Sequence, residues 1–482
     1  MKPLSLAWIA DTVGGRLLGA DVAIERLVTD TRKLTADSAH AGAALFVALK
    51  GENFDGNDYV LKAAALGARA ALVSRAAEGA ALPQVLVENT ETALAALANA
   101  MQRARNVKVF AITGSNGKTS VKTLTFAIVQ AAAAAHGTGA YATPDNRNNE
   151  IGLPLAVIDA PEDAEYAIYE MGTGKPGDIA YLTAIAAPDV ALVNNVAPAH
   201  LERMGSLLEI ANTKCAVYDD LREGGAAAIN ADDAFAEYFE RRVAALPGRR
   251  VLRFALDANA PITARQIALD AEGSRFVLVT PEGEAAVALS MPGRHNVLNA
   301  LAAAALALGA GIPLDLIAQG LNAANPVAGR LNVHRLRNGA TLIDDSYNAN
   351  PGSLGAAIDT MAMAGGERWL ILGDMRELGD DAAALHAEAG RRAKASGIAR
   401  LYALGALSAS AANAFGEGAR VFEDHAALAD ALGADLTASP APERVRALVK
   451  GSRGSAMDTI VKRILADGSL AADAGGGDTH AA

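Results

Sequence analysis

Short apolar runs alternate with helical patterns along most of this 482-residue chain. Apolar runs of roughly four to eight residues are typical of buried strands, and helical patterns between them predict βαβ units with a mostly parallel sheet. In the N-terminal part, short apolar runs alternate with helical patterns over Leu45 to Leu49, Tyr59 to Leu66, Ala70 to Val73 and Gln84 to Val87. They predict a small α/β domain.

After the polar stretch 102–106, strand candidates recur at 107–112, 166–170, 190–195 and 226–229. The stretch 251–290 differs, because closely spaced runs around the turn Pro281-Glu282-Gly283 favour an antiparallel patch. These runs are Val251 to Phe254, Ile262 to Ala268, Ser274 to Thr280 and Ala285 to Leu289. Helices are predicted at 295–309 and 313–323.

A second boundary is predicted at Asn325-Pro326, because strand candidates at 340–344, 368–372, 400–404 and 446–449 again alternate with helices beyond it. The pattern therefore predicts an α/β protein with domains over 1–105, 106–325 and 326–470. The tail 471–482 has few apolar side chains, and we expect it to be disordered.

Composition narrows the class of protein. The chain is 51% apolar and 20% charged, which excludes a disordered chain, and its net charge of −11 argues against a nucleic-acid-binding protein. A single cysteine, Cys215, excludes an internal disulfide and fits a reducing compartment. No apolar run reaches membrane-spanning length, and Asp11 and Arg16 make the N-terminus too polar for a signal peptide. We expect a cytoplasmic protein.

A glycine-rich turn closed by Lys118 and Thr119 follows the first central strand. Its backbone N–H groups suit phosphate, Lys118 suits the outer phosphates, and the Thr119 hydroxyl suits Mg²⁺. The loop is shorter than the usual phosphate loop, because Ile112 stands where the first glycine is expected. A glycine turn with an exposed lysine is the structural alternative. The predicted nucleotide-binding residues are Gly114, Ser115, Asn116, Gly117, Lys118, Thr119 and Ser120.

Other polar segments of the central domain carry less specific signals. The amide-rich stretch Thr143 to Pro154 is either a ligand loop or a connector, and Glu170 ends a strand where a carboxylate suits Mg²⁺. His200 is a metal ligand, a phosphate contact or a plain polar residue. By its residues alone Lys214 is a solvated helix lysine, and we expect Cys215 to be structural because no histidine is placed to activate it.

Polar loops also follow three strands of the third domain. They are 344–351, rich in Asp and Asn, 373–379, and 450–455, which brings two cations together with small residues. The first two suit polar ligands or are capped turns, and the third suits a carboxylate or phosphate.

Together these segments resemble the Mur ligases, the ATP-dependent amide ligases that build the peptide stem of bacterial peptidoglycan. The matching motifs run in family order through all three domains: Thr113 to Thr119, Asn148 to Pro154, Glu170 to Gly172, His200-Leu201, Gly293 to Asn296, Gly329-Arg330 and Asp344 to Pro351. The segments Asp345 to Pro351 and Gly373 to Gly379, with His386, look like the member that adds D-alanyl-D-alanine to UDP-N-acetylmuramoyl-tripeptide. No Asp-Asn-Pro-Arg motif, which would indicate the preceding ligase, is present.

The resemblance implies a UDP-binding N-terminal domain, a central ATP-binding phosphate-loop domain and a C-terminal Rossmann-like domain. It implies catalytic roles for Lys118, Lys214 and His200, and a metal site made by Thr119, Glu170, His200 and a carbamylated Lys214. It implies nucleotide contacts from Asn296, Arg330, Asp345 and Tyr347. The implied substrate contacts are Thr29, Thr31, Lys50, Asn149, Asn348, Asn350, Lys450 and Arg453. The family often has a glutamate two positions after the lysine, where this chain has Ala216.

The implied reaction uses ATP and Mg²⁺. The tripeptide carboxylate attacks the γ-phosphate, and the amine of D-alanyl-D-alanine then displaces phosphate from the acyl phosphate. We expect a monomer whose domains close before the chemistry. Two alternatives stay open: a related ligase that joins single amino acids or adds glutamates to folate, and a nucleotide-binding regulatory protein without turnover.

Overall fold

The computed structural model describes residues 1–34, 43–198, 201–270, 273–363 and 365–471. Within these residues, large sheets of five, six and six strands follow one another along the chain, and helices pack against them. This arrangement confirms the predicted α/β class. All but the first residue of the tail predicted to be disordered lie outside the described residues.

The N-terminal sheet forms around fully buried strands. Its elements are β1 (Leu4–Ser5), α1 (Leu6–Thr12), β2 (Arg16–Leu18), β3 (Ala23–Ile24), β4 (Arg26–Val28), β5 (Ala44–Val47), α2 (Val60–Ala65), β6 (Ala70–Val73), β7 (Gln84–Leu86) and α3 (Thr90–Ala104). The strand order is β2-β7-β6-β5-β4, and β1 pairs separately with β3. Every residue of β5 and β6 is buried, as their apolar runs predict.

Helix α3 connects this sheet to the next one. It begins at Thr90 because the side-chain oxygen of Asn89 accepts hydrogen bonds from the backbone N–H groups of residues 91 and 92. The Asn99 side chain donates to the carbonyl of Ala184 in the central region at 2.7 Å. One apolar cluster runs from the N-terminal sheet through α3 into the central sheet. The two regions therefore share a core.

The central sheet is parallel throughout. Its elements are β8 (Lys108–Thr113), α4 (Lys118–His136), β9 (Gly139–Ala142), α5 (Gly152–Asp159), β10 (Ala164–Glu170), α6 (Asp178–Ala186), β11 (Val190–Val193), α7 (Leu201–Met204), α8 (Leu207–Cys215), β12 (Ala226–Asn230), α9 (Ala236–Ala244) and β13 (Arg250–Phe254). The strand order is β13-β12-β11-β8-β10-β9. Because the strands are parallel, the carboxyl ends of β8, β10 and β11 meet at one edge.

An antiparallel sheet and two helices complete this region. They are β14 (Thr263–Leu269), β15 (Ser274–Thr280), β16 (Gly283–Leu289), α10 (Arg294–Gly309) and α11 (Leu314–Ala323). Helix α11 packs closely on α4 at Gly320, where an added Cβ would lie 2.3 Å from the Cα of Ile128. Only glycine permits this approach of the two backbones.

The C-terminal sheet contains β17 (Asn332–Arg335), β18 (Thr341–Asp345), α12 (Pro351–Met363), β19 (Glu367–Gly373), α13 (Ala382–Ala395), β20 (Arg400–Leu404), α14 (Ser408–Phe415), β21 (Ala419–Phe422), α15 (His425–Ala438), β22 (Val445–Lys450) and α16 (Asp458–Ala466). The strand order is β17-β18-β22-β19-β20-β21, and only β17 runs antiparallel. Two apolar clusters cover this sheet, and all their buried members lie between Leu331 and Leu470.

Interior strands follow the prediction, whereas edge strands do not. The prediction of Val251 to Phe254 as part of the antiparallel patch is wrong, because this strand, β13, extends the parallel sheet beside β12. It lies at the edge of the sheet, where three of its five residues are exposed, so it lacks the continuous burial of an interior parallel strand. The other edge strands of the three large sheets, which the apolar pattern does not predict, are β2, β4, β9, β17 and β21.

The connection from α11 to β17 carries two residues with positive φ, Gly329 at +69° and Leu331 at +54°. It leads directly into the C-terminal sheet. Among the described residues, no helix is long and apolar enough to cross a membrane.

Candidate active site

The glycine-rich turn forms a phosphate loop between β8 and α4. Helix α4 begins at Lys118, directly after Gly117, whose φ is +78°. A Cβ at this position would lie 2.5 Å from Nδ2 of Asn194 and 2.6 Å from Oδ1 of Asn299. The loop therefore requires glycine here for both its backbone angle and its surroundings.

Asparagine side chains hold the loop from behind. The carbonyl of Asn116 accepts hydrogen bonds from the side-chain amides of Asn194 and Asn195 at 3.0 and 3.1 Å. Asn194 Nδ2 also lies 3.1 Å from Oδ1 of Asn299, whose own amide donates to Asn296 at 3.1 Å. The site prediction includes Asn296 but not Asn194 or Asn299. Two sequence features could have identified them: Asn194 directly follows β11, and Asn299 lies one helical turn after Asn296.

Lys118 lies inside the loop that it closes. Its Nζ donates to the carbonyl of Gly114 at 2.8 Å. Burial lowers the pKa of the Lys118 ammonium; Arg330 acts in the same direction and the Glu170 carboxylate opposes both. A phosphate entering the loop would meet this ammonium together with the N-terminus of α4.

Glu170 ends β10 in a buried, positively charged environment. The side chain of Asn148 donates to its Oε1 at 2.9 Å, and Lys122 Nζ lies 3.4 Å from Oε2. Burial raises the pKa of the Glu170 carboxyl, but Lys122, Lys118 and the bond from Asn148 outweigh it, so the pKa lies below its usual value. Glu170 is therefore a carboxylate at neutral pH. Lys122 is a contact that the sequence analysis missed.

The residues around Glu170 fit a divalent cation. Its Oε2 is buried and accepts no hydrogen bond from any described residue, which leaves an anionic oxygen available as a ligand. No group of three or more His, Cys, Asp or Glu side chains suited to a metal occurs in the part of the chain that the structure describes. A site with few protein ligands, completed by substrate phosphates and water, is the kind that Mg²⁺ occupies.

Residues that follow α11 in the chain reach the phosphate loop. Arg330 Nη2 donates to the Thr119 hydroxyl at 3.1 Å, and its guanidinium lies 4.6 Å from the centre of the Tyr347 ring. The side chain of Asn350 donates to Oδ1 of Asn116 at 2.7 Å. Two predicted site residues, Arg330 and Asn350, thus contact the loop, and Tyr347 packs against Arg330.

A cleft of about 300 Å³ separates the phosphate loop from the third sheet. On the far side, buried Lys450 forms an ion pair with Asp345 and donates to the carbonyl of Asn348 at 3.0 Å. His295 also lines the cleft, and burial lowers the pKa of its ring, opposed by Asp345. The predicted residues that line it are Ser115, Asn116, Gly117, Lys118, Ser120, Asn296, Arg330, Asp345, Asn348, Asn350 and Lys450.

Lys214 is not the solvated lysine that its residues alone suggested. It lies in α8 with 1% of its surface exposed, and no described residue forms a hydrogen bond or ion pair with its ammonium. Burial, and secondarily repulsion from Lys118, lowers its pKa well below the usual value. Cys215 beside it is buried, and burial raises the pKa of its thiol to about 12, in keeping with a structural role. His200 lies outside the described residues.

The remaining predicted substrate residues do not line this cleft. Thr29 and Thr31 lie after β4, where Thr31 is buried, and Lys50 is exposed after β5. Asn149 is exposed, and its side-chain oxygen accepts from the Gly152 backbone at 2.8 Å. The guanidinium carbon of Arg453 lies 5.9 Å from the centre of the Tyr347 ring.

Comparison with known proteins identifies the family. The Mur ligase family catalytic domain matches residues 32–102, the Mur ligase middle domain matches 112–307, and the Mur ligase glutamate ligase domain matches 329–453. The UDP-N-acetylmuramoyl-tripeptide--D-alanyl-D-alanine ligase of Escherichia coli K12 is 40% identical over 470 residues, covering 97% of this chain and all of that protein. The protein of the same name from Haemophilus influenzae is 37% identical, covering 81% of this chain and 83% of its own length.

Solved structures agree with this result. A crystal structure of MurF from Acinetobacter baumannii has a TM-score of 0.88 at 29% identity and covers 96% of this chain and 98% of its own. MurF ligase from Thermotoga maritima in complex with ADP has a TM-score of 0.78 at 26% identity, with 91% and 96% covered. The chain belongs to the Mur ligase family.

Proposed function

We propose that the chain joins D-alanyl-D-alanine to the terminal carboxylate of UDP-N-acetylmuramoyl-tripeptide, using ATP and releasing ADP and phosphate. The observation that carries the proposal is the single cleft in which a phosphate loop faces the Asp345–Lys450 pair of another sheet. The relatives that match nearly the full chain, and the Asp345 to Pro351 motif, support this choice of substrates.

ATP binds with its phosphates on the loop at the start of α4. Lys118 and the backbone N–H groups neutralise the charge that develops as the peptide carboxylate attacks the γ-phosphate. Arg330 adds a second cation at this end of the cleft. Asn116 and Asn350, bonded across the boundary, hold the two sides together while the acyl phosphate is shielded from water.

Mg²⁺ is the proposed cofactor, held by Glu170 and the Thr119 hydroxyl, with His200 and Lys214 as the proposed second group of ligands. When bound it supplies positive charge to the phosphate oxygens. The Arg330 guanidinium donates to the same Thr119 hydroxyl oxygen, so it would compete with the cation for that oxygen.

Lys214 is proposed to act as a carbamate. A neutral amine is the form that combines with CO₂, and the lowered pKa of buried Lys214 favours that form. Carbamylation would convert an amine without a partner among the described residues into an anion suited to a cation.

The other assignments remain proposals. They are UDP-substrate contacts from Thr29, Thr31 and Lys50, peptide contacts from Asn149, Asn348 and Arg453, domain boundaries after 105, 325 and 470, and a cytoplasmic monomer. Helix α3 is the element closest to the first proposed boundary. It precedes residue 105, but its buried side chains belong to the core that the N-terminal and central sheets share.

The test is ADP release by the full chain with all pairs of substrates. We expect release only when UDP-N-acetylmuramoyl-tripeptide and D-alanyl-D-alanine are both present, and we expect Lys118→Ala to abolish it. Supplying the tripeptide ending in lysine or in diaminopimelate would identify the natural substrate. Equal ADP release with glutamate and a folate would contradict the proposal, and nucleotide binding without any release would favour a regulatory protein.

A further inference from the structure

Lys122 is a buried lysine whose position no part of the proposed reaction uses. It lies one helical turn after Lys118 on α4, so the two side chains share a face of the helix. Its side chain is 9% exposed, although it is a cation that is normally solvated. A buried ammonium requires an acceptor for each of its three donors.

Two hydrogen-bond acceptors and one carboxylate surround the Lys122 ammonium. Its Nζ donates to the carbonyls of Thr143 and Asp145 at 3.0 and 3.1 Å, and it lies 3.4 Å from Oε2 of Glu170. The two carbonyls belong to the loop between β9 and α5. Lys122 therefore connects the start of that loop to the carboxylate at the end of β10.

The same loop reaches Glu170 a second time. Asn148 donates to Oε1 at 2.9 Å, while its backbone carbonyl accepts from the Gly172 N–H at 2.8 Å. The Glu170 carboxylate thus has Asn148 on one oxygen and Lys122 near the other. Because Lys122 approaches Oε2 only as an ion pair, that oxygen remains available to a further cation.

We propose that Lys122 is a positioning residue for the Mg²⁺ site. It holds the 143–148 loop in place and keeps the Glu170 carboxylate oriented toward the cation site. Groups that orient a metal ligand without touching the metal typically change metal affinity by roughly 10- to 100-fold when removed. This inference rests on the proposed use of ATP and Mg²⁺, but it does not depend on which peptide is joined.

The test compares the affinity of a non-hydrolysable ATP analogue with and without Mg²⁺, by calorimetry on the full chain. We expect Lys122→Met to reduce the Mg²⁺-dependent gain in affinity by roughly 10- to 100-fold. Affinity without Mg²⁺ should stay close to that of the unaltered protein, because the phosphate loop itself is intact. Lys122→Arg, which keeps the charge, should restore part of the gain.

The matched control is Lys108→Met. Lys108 forms an ion pair with Asp189 at the same 3.4 Å distance, but at the opposite end of β8. We expect this variant to keep the full Mg²⁺-dependent gain. An unchanged gain in Lys122→Met, or an equal loss in both variants, would overturn the proposal.

Lys122→Met leaves Glu170 without its nearest cation, which favours unfolding. A double variant therefore provides a test that holds even if Lys122→Met folds poorly. In Lys122→Met with Glu170→Gln neither charge remains, so we expect a higher unfolding temperature than in Lys122→Met alone and no Mg²⁺-dependent gain. Retention of the gain in this double variant would contradict the inference. Hydrogen exchange at 143–148 adds a readout without nucleotide: faster exchange in Lys122→Met supports the inference, and unchanged exchange opposes it.

Failure of the proposed reaction gives a different result. Without peptide ligation, ADP release would be missing in the unaltered protein, while the binding measurements with the analogue and Mg²⁺ would still separate Lys122→Met from Lys108→Met.

Discussion

Glycine is required at position 117 for two reasons, and comparison with a second glycine can separate them. Its φ is positive, and its surroundings leave no room for a Cβ. Gly137, at the other end of α4, has a similar φ of +70° but no atom within 4 Å of an added Cβ. The two glycines therefore form a matched pair on one helix.

We predict that Gly117→Ala and Gly137→Ala each lose about 1 kcal/mol of stability from backbone strain, with an additional loss in Gly117→Ala from the clash with Asn194 and Asn299. Only Gly117→Ala should weaken ADP binding, because only that clash displaces the phosphate loop. Urea unfolding and ADP titration of both variants measure the two effects. Equal ADP affinities would show that the loop tolerates the extra methyl group.

Lys214 gives a second prediction at the scale of one residue. Lys214→Ala should lose nearly all activity in the ADP-release assay, because it removes the group that carbamylation would make anionic. Short carboxylic acids added to this variant should partly restore activity by filling the space with a carboxylate. Full activity without any acid would contradict the carbamate.

At the scale of elements, His386 holds the loop after β19. Its Nε2 accepts from the Met375 N–H at 2.9 Å, and Nδ1 donates to the Ala382 carbonyl at 2.6 Å, so the buried ring is neutral. Burial lowers its pKa below the usual value near 6.5, with smaller opposing effects from Ala382 and Asp374. Protonation would remove the acceptor for Met375.

This arrangement predicts how stability depends on pH. The unfolded chain takes up a proton at His386 near pH 6.5 while the folded protein does not. The contribution of His386 is therefore complete above that pH, and it is lost as pH falls through the lower pKa of the folded protein. Unfolding free energies measured between pH 7.5 and pH 5 should fall more steeply for the unaltered protein than for His386→Gln. Parallel curves would exclude His386 as the source.

Elements also show how far sequence determines the fold. Interior strands such as β5, β8 and β22 are buried on both faces, so their apolar runs are continuous and predictable. Edge strands lack that signal: β21 is half exposed, and β9 has only four partly buried residues. Their formation depends on a neighbouring strand that is distant in sequence.

The candidate site also contains some residues that the sequence identifies and others that it does not. The phosphate loop is local, so its residues could be recognised from spacing alone. Lys122, Asn194 and Asn299 act through contacts between separate elements, and as isolated residues they resemble ordinary helix or turn residues. Lys214 differs from these residues, because its composition alone favoured a solvated side chain, whereas tertiary packing buries it.

On the scale of the whole molecule, the apolar clusters predict two parts of the chain that unfold independently. The N-terminal and central sheets share one cluster, whereas those of the C-terminal sheet contain no buried residue before Leu331. Polar contacts such as Asn350 to Asn116 join the two parts across the cleft. We therefore expect the C-terminal sheet to unfold separately from the other two.

The two tryptophans of the chain can test this prediction. Trp369 is fully buried in β19, and Trp8 lies in α1 with 39% of its surface exposed. In Trp8→Phe, fluorescence should follow the C-terminal sheet alone and coincide with only one of two transitions seen by circular dichroism. A single transition shared by both probes would mean that the polar contacts couple the whole chain.

The contact between Gly320 and Ile128 has a consequence for genetics. Ile128 lies ten residues into the helix that begins at Lys118, about 15 Å along its axis. A larger side chain at Gly320 pushes on that helix from behind and shifts its nucleotide-facing end. Loss-of-function alleles of this gene should therefore include changes in α11, a helix that lies behind α4 and contributes no residue to the lining of the cleft.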